Sequence, residues 1–207
     1  MLLRSLLLLL PVALFTAPCS QNSKEEELLS EARTTHRDQI AEKCLEVCIK
    51  KYPKSFGCWF HRGIRAQKWE RHELAESYFK KAAILNPNSS QALHMIGGTL
   101  LLQGPSRASE AQSHLLKAES LNPASGAVVS DLALATYYLG RVDDALEIWR
   151  RCIALEPNNE ASHLYNMIGV YQERGRLRTA RKLLRRMLDL APSSAEAHES
   201  LAVVQAQ

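Results

Sequence analysis

Glycine and proline are scarce in this chain, at 9 and 8 of 207 residues, and aromatic residues make up only 6%. Long runs of alternating β-branched residues are missing as well, so nothing reads as a strand of a sheet, and a β-sandwich or barrel is excluded. No Gly-rich phosphate loop, no G-x-S-x-G, no H-E-x-x-H and no acid–base pair isolated in a loop occurs. The chain therefore reads as a non-enzyme with no cofactor. A net charge of +4 is modest and, with the N-terminal segment described next, argues against a nucleic-acid partner. What is abundant is Ala, Leu, Glu, Lys and Arg, with 46% hydrophobic and 23% charged residues. That is a folding composition, and an all-α one.

The first residues, MLLRSLLLLLPVALFTAPCS, place Arg4 before an apolar run from Leu6 to Phe15, then small residues, then the polar QNSKEEE. This is the order of a secretory signal. The run falls short of the roughly twenty residues that cross a bilayer. Residues 1–19 are read as an export signal, with an uncleaved anchor as the alternative. Cys19 ends the segment just as the acylated cysteine ends a bacterial lipoprotein signal, which the stretch resembles, although Pro18 and Thr16 depart from that pattern. Two routes to a membrane follow, a lipid on Cys19 or the apolar segment itself. The expected location is the cell envelope or periplasm if the source is bacterial, and a secreted or luminal compartment otherwise.

The remainder repeats. Pro53, Pro87, Pro123, Pro157 and Pro192 are spaced by 34, 36, 34 and 35 residues, and Ala41, Ala75, Ala111, Ala145 and Ala180 each precede one of them by 12. Four prolines close similar phrases, KAAILNPNS, KAESLNPAS, RCIALEPNN and RMLDLAPSS. A period of this length means a stacked array, because a single unit cannot bury its own apolar face.

The pattern resembles the tetratricopeptide repeat, W-x2-L-G-x2-Y, then A-x3-F, then P. Trp59, Gly63, Ala75, Phe79, Ala82 and Pro87 carry it in residues 56–89, where Arg62 takes the usual leucine place. Residues 126–159 carry it through Leu132, Ala133, Gly140, Ala145, Trp149 and Pro157, and residues 160–194 through Met167, Tyr171, Gly175, Ala180 and Leu184. Residues 90–125 hold two extra residues in QGPSRAS. Residues 22–55 are degenerate, with His36 at a glycine position, and 195–207 read as a capping helix. The resemblance implies a tetratricopeptide-repeat superhelix of about five helix pairs plus that cap. It also implies a protein-protein interaction scaffold or adaptor that holds a partner peptide or helix in a concave groove. The groove positions map to Phe60, Ile64, Lys68, His94, Leu101, Leu134, Tyr137, Tyr138, Tyr165, Asn166 and Gln172. A structural spacer without a groove is the bland alternative.

Two stretches stand apart. Cys44, Cys48, Cys58 and His61 have the residue types of a zinc or thiol-redox site. In the repeat register Cys48 instead holds a small packing position, matching Ala82, Ala118 and Cys152. Cys44 and Cys48, one helical turn apart with Cβ atoms about 5–6 Å from each other, are too far apart to bridge each other. A Cys48–Cys58 disulfide, a Cys44–Cys58 disulfide and reduced packing all remain open. The second stretch, RGRLRTARKLLRR at 174–186, has seven Lys or Arg and no acid, which suits a solvated face or an anionic surface.

Overall fold

A computed structural model of the chain describes residues 19, 23–34 and 38–206. All of the signal expected at 1–19 except Cys19, and the glycine-position His36, lie outside them. Eleven α-helices and two short 3-10 turns, with no strand, make up the described residues. They are α1 Glu25–Thr34, α2 Asp38–Lys51, α3 Phe56–Lys68, α4 His72–Leu85, α5 Ser90–Leu102, α6 Ala108–Leu121, α7 Gly126–Tyr138, α8 Val142–Leu155, α9 Glu160–Glu173, α10 Leu177–Leu190 and α11 Ala195–Ala206. Each odd helix pairs with the next even one, and α11 packs on α10. None of these helices is long and apolar enough to cross a membrane.

The repeated proline sets both ends of this alternation. Asn86, Asn122, Glu156 and Ala191, each just before a proline, leave the helical region (ψ 72–86°), because the proline ring disfavors helical geometry in the residue ahead of it. Two residues past the proline, Ser55, Ser89, Ser125 and Ser194 accept hydrogen bonds from the N–H groups of Cys58, Ala92, Val128 and Ala197. One P-x-S phrase thus stops one helix and caps the next. In the remaining unit Asn158 and Asn159 follow Pro157, and a 3-10 turn leads into α9 without a side-chain cap.

Within a pair, a small residue on the first helix admits a large one from the second. A Cβ on Gly63 would stand 2.5 Å from the Phe79 ring, and one on Gly97 would stand 2.5 Å from Leu115. Ala133 lies in one core cluster with Trp149. The repeated Ala75, Ala111, Ala145 and Ala180 are fully buried, so the helices of a pair approach closely. The core is a chain of clusters running along the array, as a solenoid requires.

The insertion in QGPSRAS is taken up by the 3-10 turn Pro105–Arg107. That turn carries Arg107 onto the buried Glu76 of α4, at 3.1 Å, while Gln103 donates to the same carboxylate at 2.7 Å and Lys80 at 2.6 Å. Glu110 closes the network on Lys80 and Arg107. Burial would push the Glu76 carboxyl up, but the hydrogen bonds from Lys80, Gln103 and Arg107 outweigh it and hold its pKa at about 2.

Candidate functional site

First helices of neighboring units meet directly, α1 with α3 and α5 with α7. Short polar contacts join them too: His94 Nε2 lies 2.9 Å from Asp131 Oδ2, and the Tyr137 hydroxyl donates to Glu173. Second helices are bridged instead by long charged side chains, Lys80 to Glu110 at 3.0 Å and Arg151 to Glu119. Close contact on one side and long reach on the other is the geometry of a bend, with the first helices on its inner side.

The eleven groove positions divide by burial. Ile64 and Lys68 on α3 and Tyr165 on α9 are exposed, Tyr165 at 51%, and they are joined by Leu102 at 56% on α5. His94, Leu134, Tyr137, Tyr138, Asn166 and Gln172 are half-buried. Phe60 and Leu101 require a correction, since they are 4% and 6% exposed. Phe60 stacks on Phe56 at 5.3 Å and meets Phe79 of α4 at 5.6 Å, so it fills the core of its own helix pair. The inner face therefore has apolar and aromatic side chains at intervals, separated by polar ones. Lys68 is tied at 3.3 Å to Asp38 of α2.

At the N-terminal end the structure joins Cys48 to Cys58 across the Tyr52–Ser55 turn, with Cα atoms 5.7 Å apart, and Cys19 to Cys44, with Cα atoms 4.6 Å apart. Both pairs lie in one buried cluster with Leu28, Ala32, Ala41 and Leu45. The zinc alternative is corrected here. Cys44, Cys48 and Cys58 have no thiolate to offer a metal while bridged, and His61 packs edge-on against Phe60 at 5.8 Å. Among the described residues no three His, Cys, Asp or Glu side chains converge as metal ligands would. A sulfur held in a disulfide also has no valence for a thioether lipid, so the Cys19–Cys44 bridge and lipidation of Cys19 exclude one another. The pairing of Cys19 was missed from sequence, although parity pointed to it: with Cys152 in a repeat packing position, four cysteines remain. Cys152 is the buried free thiol of α8, and burial pushes its pKa up to about 11, which leaves it inert.

Arg62, the departure from the leucine of the repeat, also finds its explanation here. Its guanidinium lies 3.1 Å from Glu42 and 3.8 Å from Glu46 of α2, and the neighboring Arg65 pairs with Asp38 and, at 3.7 Å, with Glu42. The weak first unit is held to the second by charges as well as by sulfur.

These features define an α-solenoid built of helix-turn-helix units, and the fold is that of a tetratricopeptide-repeat superhelix. The tetratricopeptide repeat family model matches residues 137–204. A TPR repeat-containing protein of Pseudomonas aeruginosa is 29% identical over 143 residues, 68% of this chain. The chain spans 23% of that relative's length. Among solved structures, a thermophilic TPR protein of Thermus thermophilus superposes with a TM-score of 0.69 at 19% identity, over 89% of this chain and all of that one. MamA of Desulfovibrio magneticus, from residue 41 of that protein onward, gives 0.71 at 17% identity, over 85% of this chain and 99% of that one. YrrB, described as a TPR protein with an unusual peptide-binding site, gives 0.67 at 17% identity, over 86% and 91%.

Proposed function

We propose that this protein is an exported, non-catalytic scaffold that holds an extended or helical segment of a partner protein along its inner face. The observation that carries the reading is the row of solvent-reaching apolar and aromatic side chains on successive first helices, Ile64, Leu102 and Tyr165, with Tyr138 half-buried beside them in the row. Such side chains are the anchors that a bound segment desolvates, with polar neighbors fixing its register. The peptide-binding site described for YrrB supports the same use of this fold. Export is supported by the two disulfides, which persist in oxidizing compartments and are rare where thiols are kept reduced. In this reading the chain is cut ahead of Cys19 or not at all, and Cys19 stays bridged in the mature chain. An intact mass showing two disulfides and no acyl groups is the expected result, and a diacylated or triacylated Cys19 would overturn that part.

The groove is tested by affinity capture from the envelope fraction of the source cells with the wild type and a Tyr138→Ala, Tyr165→Ala pair. A partner retained by the wild type and lost by the pair, with unchanged helicity, is the expected outcome. Equal recovery by both would leave the inner face a spacer.

A further inference from the structure

The outer face of α10 has a use that the groove does not absorb. Ala180, Leu184 and Met187 form its buried stripe, with Leu184 and Met187 packed among Leu164, Ile168, Ala197 and Val204 and Ala180 among Val170 and Tyr171. Opposite them a shallow hollow of about 400 Å³ is lined by Arg178, Arg181, Lys182, Arg185 and Arg186, with Asp189 as the one acid. Two of these cations are engaged. Arg181 donates to the Val204 carbonyl at 3.0 Å, and Arg186 lies 3.1 Å from Glu160. Arg178, Lys182 and Arg185 have no ion-pair or hydrogen-bond partner among the described residues. Their i, i+4, i+7 spacing puts them on one face over about 10 Å of helix. In every other second helix the acids keep pace with the bases: Asp38, Glu42 and Glu46 on α2, Glu73 and Glu76 on α4, Glu110 and Glu119 on α6, Asp143, Asp144 and Glu147 on α8.

We infer that this face docks the protein onto an anionic phospholipid surface. Second helices lie on the outer side of the bend, so a flat surface reaches α10 while the inner groove stays open. A protein partner would call for an apolar anchor at the center of its contact, and here only the half-buried Leu183 borders the hollow. Lipid phosphates need no such anchor, because a fluid array of anions adjusts to fixed cations, each contributing roughly 1 kcal/mol near the surface, about fivefold in partitioning. Nucleic acid would need cations over a longer track than one helix supplies.

The test is sedimentation of the full chain with vesicles of phosphatidylcholine alone and of phosphatidylcholine mixed with phosphatidylglycerol. The apolar run from Leu6 to Phe15 contributes to both alike, and Arg4 is the same in wild type and variants, so the change between them reads the charge of α10. Stronger binding to the mixed vesicles is expected, weakened by salt, with about a hundredfold loss of that excess in an Arg178→Gln, Lys182→Gln, Arg185→Gln triple variant. An Arg178→Lys, Arg185→Lys variant retains it and controls for folding. Equal binding to both vesicles by the wild type would overturn the inference, as would an undiminished preference in the triple variant or a preference for polyglutamate or DNA over the mixed vesicles. Groove variants at Tyr138 and Tyr165 leave the outcome unchanged, so the two readings fail separately.

Discussion

Glu70 occupies the left-handed position of its inter-helix turn, φ 57°, where Gly104, Gly140 and Gly175 stand in the next three units. Its N–H donates to Gln67, and the Arg71 N–H to Ala66, the same closing bonds that Gly140 and Arg141 make in their unit. The backbone thus demands a conformation that costs a β-carbon-bearing residue roughly 1 kcal/mol. Glu70→Gly should stabilize the protein by up to about 1 kcal/mol, read as a higher midpoint in urea at unchanged slope. A lowered midpoint would mean that the glutamate side chain contributes more than its backbone strain costs.

At the scale of the element, α2 carries an unusual share of the cohesion. It is bridged to Cys19 and to Cys58 and presents Asp38, Glu42 and Glu46 to the arginines of α3. The loop closed by Cys48 and Cys58 is 10 residues, for which the chain-entropy argument gives about 2–3 kcal/mol. A Cys48→Ala, Cys58→Ala pair should therefore lose roughly that much stability. Alanine already fills the position of Cys48 in two other units, so little of the loss comes from packing. Protease cleavage should begin in α1 and α2 while α3 to α11 stay resistant. A pair variant as stable as the oxidized wild type would show the bridge to be absent or inert in solution.

Across the whole molecule, acid should act through buried imidazoles before it reaches the carboxylates. Burial lowers the pKa of His61, His114 and His163 below the ordinary 6.5. Both ring nitrogens of His163 are buried without a hydrogen-bond partner among the described residues. Below about pH 6.5 the unfolded chain takes up protons that the folded chain refuses, so stability is full above that pH and is lost as the pH falls toward the lowered folded values. Glu76, held at about 2, loses its contribution only between its ordinary 4.5 and that value. Melting temperature should thus fall between about pH 7.5 and about pH 5, and His163→Leu should shrink the drop. An unchanged drop in that variant would place the sensitivity elsewhere.

The repeat, the helix boundaries and the identity of the packing residues are legible in the linear order of residues. Proline, the P-x-S phrase, small-to-large pairing and the turn glycine all act within one helix-turn-helix unit, at most 18 positions apart for Gly97 and Leu115, and local sterics read them in much the same way from unit to unit. The departures are different in kind. Arg62 in a leucine place, the insertion at QGPSRAS and the partner of Cys19 make sense only against residues 20 or more positions away: Glu42, Glu76 and Cys44. The inner-face positions needed the fold for the same reason. Phe60 and Ile64 stand one helical turn apart with the same apolar character, and only the packing of α4 against α3 buries the first and leaves the second exposed. Periodicity specifies which residues share a helix face, whereas exposure depends on how far the helices packed against that face cover it, which is set by the tertiary arrangement.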